Sequence, residues 1–481
     1  MIKFYQNYRI ILCIIIIFGF ALRYLYFINL DSWFDEWNML YTVDPNINNN
    51  ETWKRYLGDR GGGNFLPEYY PPINAFLLKY FLKFTNYFTE NARLYSLIFG
   101  VLTLPISYLL SKQITEKKNA IICTLIISMN IFLIHQSSEI RPHSLVVFAS
   151  LISIILFIKI LDTKLVNIFT ITSYIIVSIF LLSSWPFTLT IFFAKVTYIL
   201  INLKKIEKLL KKIFFIFLII LISYLILNFE YLTYMTSKKE HYTKLFYGFF
   251  YSYYFRSFFG SIVLGAVFLI SFSFFTFSYF IKIKKKNLLK YDFLILLIIL
   301  CSYSLCIIYS VLRADVISPK YFIFILPLII IWIMSNLNNF KDKIFKYFLF
   351  FIILGNFFNL IVNFNNTPIE RPELNKALKI IYSSKVLDIL TNEDHVVTNA
   401  IKTSYKIYLY NINFVNISEI KNNNIFWFLC INNPRFAVGN EIKPIEKKCT
   451  IFDNNKKFNE MSRVEVKDLI LKKYIKIDNN F

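Results

Sequence analysis

Charged residues, glycine and proline are scarce in this chain of 481 residues. Only 17% of the residues are charged, and there are 11 Gly and 13 Pro. So little Gly and Pro excludes a collagen-like repeat and a long disordered linker. The low charged fraction, beside 56% hydrophobic residues, excludes a soluble fold, because a soluble core stops growing well before this chain length. The composition predicts a polytopic membrane protein.

Acidic residues are also few, with 30 Asp and Glu against 53 Lys and Arg, which gives a formal net charge of +23. In a soluble protein this excess would indicate nucleic-acid binding. Here much of it lies in short clusters between apolar runs, as in the cytoplasmic loops of membrane proteins. We therefore expect no nucleic-acid partner. The 4 His are dispersed and no two of the 6 Cys stand at a zinc-ligand spacing, so we expect no zinc site.

About eleven apolar runs are long enough to cross roughly 30 Å of hydrocarbon. They cover residues 8–28, 91–111, 119–135, 143–161, 165–184, 186–202, 213–230, 257–281, 291–311, 320–336 and 345–363. Counting spans puts four Lys-rich loops on one side, which predicts a cytoplasmic N-terminus. Those loops are 112–118, 204–212, 282–290 and 341–346.

This topology predicts a multi-pass membrane domain over 1–363, with a catalytic outer loop over about 29–90, and an outward α/β domain over 364–481. The outward domain shows a helical pattern at Glu373–Tyr382 and strand-like runs at His395–Thr398 and Ile425–Ile431. It also contains Cys430 and Cys449, for which an oxidising compartment favours a disulfide. Two unpaired thiols are the alternative.

Two neighbouring carboxylates, Asp35 and Glu36, follow the first apolar run and lie among Trp33, Phe34 and Trp37. In a partly desolvated place at a membrane surface, a carboxylate becomes a better base. The alternative is an interfacial aromatic belt with solvated acids. Other charged residues lie in the same loop or near the predicted outer ends of later runs, where they are either anchors or parts of a site. The residues concerned are Arg60, Glu68, Arg141 and Lys320.

Taken in this order, the motifs resemble those of the GT-C glycosyltransferase superfamily, in particular the bacterial relatives of protein mannosyltransferases and aminoarabinose transferases. The family patterns are Trp-x-Asp-Glu, His-Pro-Pro-Leu-Tyr-Tyr, Arg-Leu-x-Ser-x-x-x-Gly-x-Leu, Gln-Glu-x-Arg-x-Tyr and a late basic-Tyr element followed by Pro. Tyr70 replaces the usual His and His143 replaces a common Tyr, so no acid/base role is carried over to Tyr70. The matching stretches are, in the same order, Trp33–Glu36, Tyr70–Ala75, Arg93–Leu102, Ser138–His143 and Lys320–Pro327.

The resemblance implies a mainly α GT-C fold with about eleven transmembrane helices and a soluble C-terminal α/β domain. It implies an enzyme of the bacterial cytoplasmic (inner) membrane whose site and C-terminus face the periplasm. A sugar would pass, with inversion, from a polyprenyl-phosphate donor to a hydroxyl of a lipid, glycan or protein acceptor. Asp35 would be the base, and Glu36 would orient the acceptor or the base. Arg141 and Lys320 would bind the phosphate, and the donor-binding residues would also include Arg60 and Glu68. We expect no cofactor and no obligatory metal.

Two other functions fit the same composition. A lipid-linked polysaccharide polymerase or ligase also acts outside on such donors, but its key groups usually lie in large central loops. A transporter or flippase would place charges near mid-span and break its helices, whereas the charged residues here gather at the predicted outer rim.

Overall fold

The structure is a computed structural model. It describes residues 7–28, 30–59, 68, 70–162, 167–237, 255–283, 291–312, 318–337, 342–365, 371–421, 424–432, 449–453 and 455–477. By internal contacts the chain divides into two units that interleave along the sequence. The first consists of residues 1–27, 69–74 and 96–367, and the second of residues 28–68, 75–95 and 368–481.

The first unit is built from apolar helices. Seven helices in the described part are long and apolar enough to cross a membrane, and three shorter apolar helices accompany them. They leave large apolar side chains such as Ile17, Phe277 and Leu312 exposed, as lipid-facing surfaces do. The chain is an integral membrane protein, while the number of about eleven spans stays a prediction.

Fourteen helices in the described part of the chain lie wholly or mainly in this unit. Their bounds are Tyr8–Ile28, Thr89–Ile114, Lys117–Met129, Ile131–Gln136, His143–Leu161, Ile168–Leu182, Leu189–Ile201, Leu203–Leu227, Phe229–Ser237, Phe255–Phe259, Ile262–Ile283, Tyr291–Leu312, Leu326–Leu337 and Asp342–Asn363, with 3₁₀ turns at Pro186–Thr188 and Pro319–Ile325.

The apolar run predicted at 119–135 is not one continuous helix, because the chain breaks at Asn130. The Asn130 backbone is extended, at φ −68° and ψ 115°, and its side-chain oxygen accepts a hydrogen bond from the Leu133 N–H. Its amide also donates to the Phe258 carbonyl. The side chain thus caps the second helix segment and satisfies backbone groups that the break exposes inside an apolar environment.

The second unit contains the small α/β domain. Its five-stranded sheet has the order β2-β1-β3-β5-β4, in which β1 pairs parallel with β2 and β3 and the other pairs are antiparallel. The strands are β1 Asp388–Thr391, β2 Asn413–Phe414, β3 Ile425–Ile431, β4 Phe458–Val466 and β5 Leu469–Lys476, and the helices are Phe34–Thr42, Asn49–Tyr56, most of Ile73–Thr85, Leu374–Ser383, His395–Lys402 and Tyr405–Tyr410.

Strand β3 is buried on both faces because its residues alternate between two cores. Trp427, Leu429 and Ile431 join one core, which also holds Trp37 and residues of the helices Leu374–Ser383 and His395–Lys402. Phe426, Phe428 and Cys430 join the other core, which is mainly aromatic. In that core Cys430 and Cys449 form a disulfide with a Cα–Cα distance of 5.6 Å.

Two local predictions in this domain are confirmed and one is wrong. The helix predicted at Glu373–Tyr382 and the strand at Ile425–Ile431 are present with nearly those bounds. The strand predicted at His395–Thr398 is the start of a helix. Asp394 caps this helix by accepting hydrogen bonds from the N–H groups of Val396 and Val397, and this N-cap outweighs the β-propensity of two adjacent valines.

Candidate functional site

The helix Phe34–Thr42 presents the two predicted carboxylates in its first turn, a favourable position for negative charge beside the N–H groups of a helix N-terminus. Glu36 also accepts a hydrogen bond from the Trp33 N–H at 3.3 Å. The next residue, Trp37, is buried in the domain core and donates its indole N–H to Ser32 at 2.8 Å. The helix is therefore fixed both by its cap and by its core contact.

Glu36 lies completely buried between two arginines. Arg93 donates to both carboxylate oxygens, at 3.2 and 2.8 Å, and Arg371 donates to Oε2 at 2.7 Å. The same guanidinium groups hold the chain just before the helix: Arg93 donates to the Leu30 and Asp31 carbonyls, and Arg371 to the Asp31 carbonyl. We call Glu36, Arg93 and Arg371 the carboxylate clamp. A carboxylate held in this way by two cations is a poor proton acceptor.

Asp35 occupies the neighbouring helical position, about 100° around the helix axis from Glu36. Its side chain is partly exposed, whereas the exposed fraction of Glu36 is 0%. The two carboxylates therefore differ in environment, as the different roles predicted for them require. That Asp35 acts as the base stays a prediction.

The other candidates of this loop are less informative. Glu68 is buried in the second unit, where its N–H donates to the Tyr56 carbonyl. Arg60 lies outside the described residues. Arg141 and Lys320 belong to the first unit, so they form a separate group of candidates.

The turn that carries Arg141 is held by a buried arginine of the first span. Arg23 donates to the Ser137 hydroxyl at 3.3 Å and to the Gly19 and Ser128 carbonyls at 3.1 Å each. Ser128 is the last residue but one of the helix Lys117–Met129, and the last carbonyls of a helix have no partner within it. Gly100 permits the turn to lie close, since a Cβ atom at that position would overlap Ser137.

Arg141 lies at the end of this turn and is mostly buried. Its guanidinium donates to the Tyr70 hydroxyl, and its Cζ atom lies 5.8 Å from the centroid of the Tyr70 ring. Tyr70 is thus a hydrogen-bond partner of the cation. This contact orients the guanidinium group at the end of the turn, and an arginine side chain has the planar fork of donors that matches phosphate geometry.

An aromatic cluster built around Trp185 lies beside Arg141. The Trp185 ring lies 5.1 Å from Tyr70, 5.3 Å from His143 and 5.7 Å from Tyr321, measured between centroids. Its indole N–H donates to the Tyr321 carbonyl at 2.9 Å. Phe187 stacks on Tyr321 at 4.9 Å. We call these five residues the aromatic cluster.

Lys320 lies at the edge of this cluster, with Nζ 5.7 Å from the centroid of the Tyr321 ring. Arg141 contacts Tyr70, and the Trp185 ring packs against both Tyr70 and Tyr321. The structure therefore brings Arg141 and Lys320 to the same aromatic cluster. Two cations beside buried aromatic rings suit an anionic head group attached to an apolar tail, because a low dielectric strengthens the ionic contact.

Sequence reasoning missed Arg371, Trp185 and Arg23 as parts of these arrangements. Arg23 carried a usable signal, because an arginine inside an apolar run must find partners in the protein. Trp185 lies between the predicted apolar runs 165–184 and 186–202, and its position there did not indicate a site. Arg371 carried no signal, since 335 positions separate it from Glu36.

In the part of the chain that the structure describes, no three His, Cys, Asp or Glu side chains are grouped as a metal site requires. The expectation that no metal is needed remains a prediction.

No family model and no curated protein sequence matches the chain. Among solved structures, it is similar to ArnT from Cupriavidus metallidurans bound to undecaprenyl phosphate, with a TM-score of 0.58 and 7% identity over 98% of both chains. The apo state of that protein gives a TM-score of 0.58 and 8% identity over 95% of this chain and 97% of that one. These similarities confirm the predicted fold, which is that of the GT-C superfamily.

The archaeal oligosaccharyltransferase AglB from Archaeoglobus fulgidus, in complex with an inhibitory peptide and a dolichol-phosphate, gives a TM-score of 0.50 and 11% identity. The match covers 84% of this chain and 64% of AglB. The chain thus spans less than two thirds of the archaeal protein's length.

Proposed function

We propose that this chain with the GT-C fold is an integral-membrane glycosyltransferase that transfers a sugar from a polyprenyl-phosphate donor to a hydroxyl of a lipid, glycan or protein acceptor. One observation carries the proposal. The fold matches ArnT bound to undecaprenyl phosphate over 98% of both chains, and this chain has carboxylates and cations at the motif positions that such a reaction needs.

In the proposed reaction the acceptor oxygen forms a bond to the anomeric carbon while the bond from that carbon to the phosphate oxygen breaks. The electron pair of the broken bond leaves with the polyprenyl phosphate, and the configuration of the sugar inverts. Asp35 takes the proton of the acceptor hydroxyl. Arg141 and Lys320 stabilise the negative charge that grows on the phosphate.

Glu36 acts in this scheme as a positioning residue. Its contacts with Arg93 and Arg371 fix the first turn of the helix Phe34–Thr42, and that turn carries Asp35. The clamp holds the base without competing for the proton, because the Glu36 carboxylate is already fully engaged.

We place the protein in the bacterial cytoplasmic membrane with the site and the C-terminus on the periplasmic side. The support is the predicted position of the Lys-rich loops. A C-terminal alkaline phosphatase fusion should be active, since this reporter folds only outside the cytoplasm. An inactive phosphatase fusion, together with fluorescence from a C-terminal reporter that folds only in the cytoplasm, would place the C-terminus in the cytoplasm. That result would contradict the periplasmic position of the site.

Binding of undecaprenyl phosphate to the purified protein tests the donor site. Arg141→Ala should weaken binding by about 10- to 100-fold, because a hydrogen bond to a charged group contributes about 1.5–3 kcal/mol. Lys320→Ala should weaken it less, since lysine offers a point charge and no bidentate fork. Arg463→Ala is the matched control, because Arg463 is an exposed arginine paired with Glu465 in β4. Unchanged binding by Arg141→Ala would contradict the assignment.

A flippase is the second candidate, because a transporter would place a charge within its membrane domain, and Lys195 is completely buried in an apolar helix. Its Nζ donates to the Ser153 hydroxyl at 2.7 Å and lies 4.7 to 5.3 Å from the ring centroids of Tyr174, Phe192 and Phe157. These contacts satisfy the ammonium within the protein, which favours a structural role. Transport of a lipid-linked sugar across proteoliposomes in the absence of acceptor would support the flippase instead.

A further inference from the structure

A small polar cavity lies inside the first unit, beside the turn that leads to Arg141, and the proposed reaction does not use it. Its polar lining residues are Arg23, Thr103, Gln136, Ser137 and Ser144. All five are buried. The space open to the centre of a water molecule is about 10 Å³, and a site for one water needs roughly 10–15 Å³ of such space. The cavity therefore has the size of a single water molecule.

The Gln136 side chain gives this cavity a polar atom without a partner. Its Oε1 atom is enclosed by protein and accepts no hydrogen bond from the residues that the structure describes. Such an atom is costly, because folding removes the hydrogen bonds that it makes with water in the unfolded chain. Since Gln136 lines the cavity, a molecule bound there can restore the lost hydrogen bond.

The three hydroxyl groups of the lining residues already donate their protons. Each donates to a backbone carbonyl, at 2.8 Å from Thr103, 2.6 Å from Ser137 and 2.9 Å from Ser144. A hydroxyl that donates in this way keeps lone pairs that accept hydrogen bonds. Together with Gln136 Oε1 these oxygens make the lining rich in acceptors, so the molecule that fits it is one that donates hydrogen bonds.

The charge of Arg23 decides which donor fits the cavity. Its guanidinium donates to the Ser137 hydroxyl and to backbone carbonyls of the first span and of the helix Lys117–Met129. Because an arginine keeps its charge, a second cation beside it would be repelled. A chloride ion is larger than water and would face the lone pairs of the lining. Water is neutral, has the right size and both donates and accepts hydrogen bonds.

We propose that this cavity binds one water molecule, which donates to Gln136 and to the hydroxyl oxygens of the lining and thereby fixes the turn that carries Arg141. Gln136 is the last residue of the helix Ile131–Gln136, immediately before this turn. The water ties it to Thr103 and Ser144, which belong to two long helices of the same unit. Gln136 is thus a positioning residue for Arg141. That role rests on the proposed function, whereas the water site does not.

X-ray radiolysis of the detergent-solubilised protein, followed by mass spectrometry of its peptides, detects the water directly. Hydroxyl radicals formed from a bound water oxidise the side chains next to it, even where bulk water has no access. Leu133, Val147 and Ile323 line the cavity and are buried, and they should be oxidised several-fold faster than Leu151 and Ile154. These two controls lie in the same helix as Val147 and are equally buried, but they do not line the cavity. Equal oxidation of both sets would overturn the water site.

Thermal unfolding of Gln136→Met gives a second, independent test. Methionine keeps the size of the side chain and removes the amide. If water pairs with the amide, the variant loses those hydrogen bonds and its midpoint falls; in a dry cavity the variant loses only an unpaired polar group, so its midpoint stays or rises. Gln113→Met is the matched control, because Gln113 Oε1 is also enclosed without a partner and lies about 15 Å along its helix from Thr103. A midpoint of Gln136→Met no lower than that of Gln113→Met would overturn the proposal.

Binding of undecaprenyl phosphate, measured well below both unfolding midpoints, tests the positioning role. Gln136→Met should bind about 3- to 10-fold more weakly than Gln113→Met, the effect of roughly one hydrogen bond that orients Arg141. Equal binding by the two variants would overturn the positioning role. Failure of wild type to bind would overturn the proposed donor, and the radiolysis result would then still decide whether the cavity holds water.

Discussion

Replacing Glu36 by Gln should destabilise the second unit strongly, because it removes the only carboxylate of the clamp and leaves the two arginines in place. Arg93 and Arg371 have exposed side-chain fractions of 3% and 4%, and Glu36 is at 0%. Breaking a buried pair by removing one partner costs about 3–5 kcal/mol, since the remaining charge stays buried and uncompensated. Glutamine keeps the shape and still accepts the Trp33 N–H, so the loss reports on charge and not on the helix cap.

Limited trypsin digestion of the detergent-solubilised protein at increasing urea concentrations measures this loss of stability. The readout is the extent of cleavage within the second unit. Glu51→Gln is the control, since Glu51 pairs with Arg55 on the surface with 41% of its side chain exposed, and exposed pairs contribute about 0–1 kcal/mol. In a double-mutant cycle, Arg371→Met should recover part of the loss caused by Glu36→Gln, because it removes one of the unpaired charges. Glu36→Gln protein as resistant as wild type would refute the clamp.

Three further predictions concern other contacts in the molecule: the disulfide, the contacts of Asp453 and the close approach at Gly100. Cys430→Ser with Cys449→Ser should lower the free energy of unfolding of the C-terminal domain by about 3 kcal/mol, as the chain-entropy model gives for a loop of 19 residues; equal stability of oxidised and reduced protein would contradict this. Burial raises the pKa of Asp453, but hydrogen bonds from Lys472 and Tyr474 outweigh it and the net pKa is lowered. Asp453 therefore stabilises the domain above its unfolded pKa of about 3.9, and this contribution is lost as the pH falls through its native pKa. The free energy of unfolding of Asp453→Asn should lack this loss at acid pH. The same pH dependence in the variant and in wild type would contradict the contacts of Asp453 with Lys472 and Tyr474. Gly100→Ala should cost about 1–3 kcal/mol by displacing Ser137, visible as lower thermal stability and weaker undecaprenyl phosphate binding, and a neutral effect on both would show that the contact is not needed.

Local pattern was sufficient for much of the fold. The apolar runs predicted the first, fourth and ninth spans nearly to the residue. The short apolar run at Ile425–Ile431 predicted β3, because a strand that is buried on both faces is apolar throughout. The hydrophobic pattern gave the wrong prediction where one polar side chain determines the backbone conformation. Asn130 splits an apolar run, and Asp394 starts a helix where adjacent valines indicated a strand.

The site was predictable only where its residues are close in sequence. Asp35 and Glu36 were recognised from one short motif, but the burial of Glu36 depends on Arg371, and nothing in the sequence links the two. Long-range ionic partners are set by tertiary packing and leave no periodic trace.

The most direct test of the account is mass spectrometry of the outer glycolipids and glycoproteins of a deletion strain that carries either wild type or Asp35→Asn at matched expression. Wild type should restore a sugar-modified product that the deletion strain lacks. Asp35→Asn keeps the shape of the side chain and removes its basicity, so the rate of product formation should fall by about 10²–10⁴-fold, while the purified variant still binds undecaprenyl phosphate. Restoration of the product by Asp35→Asn at the wild-type rate would contradict the assignment of the base, and the absence of any sugar-modified product that depends on the wild-type protein would contradict the glycosyltransferase itself.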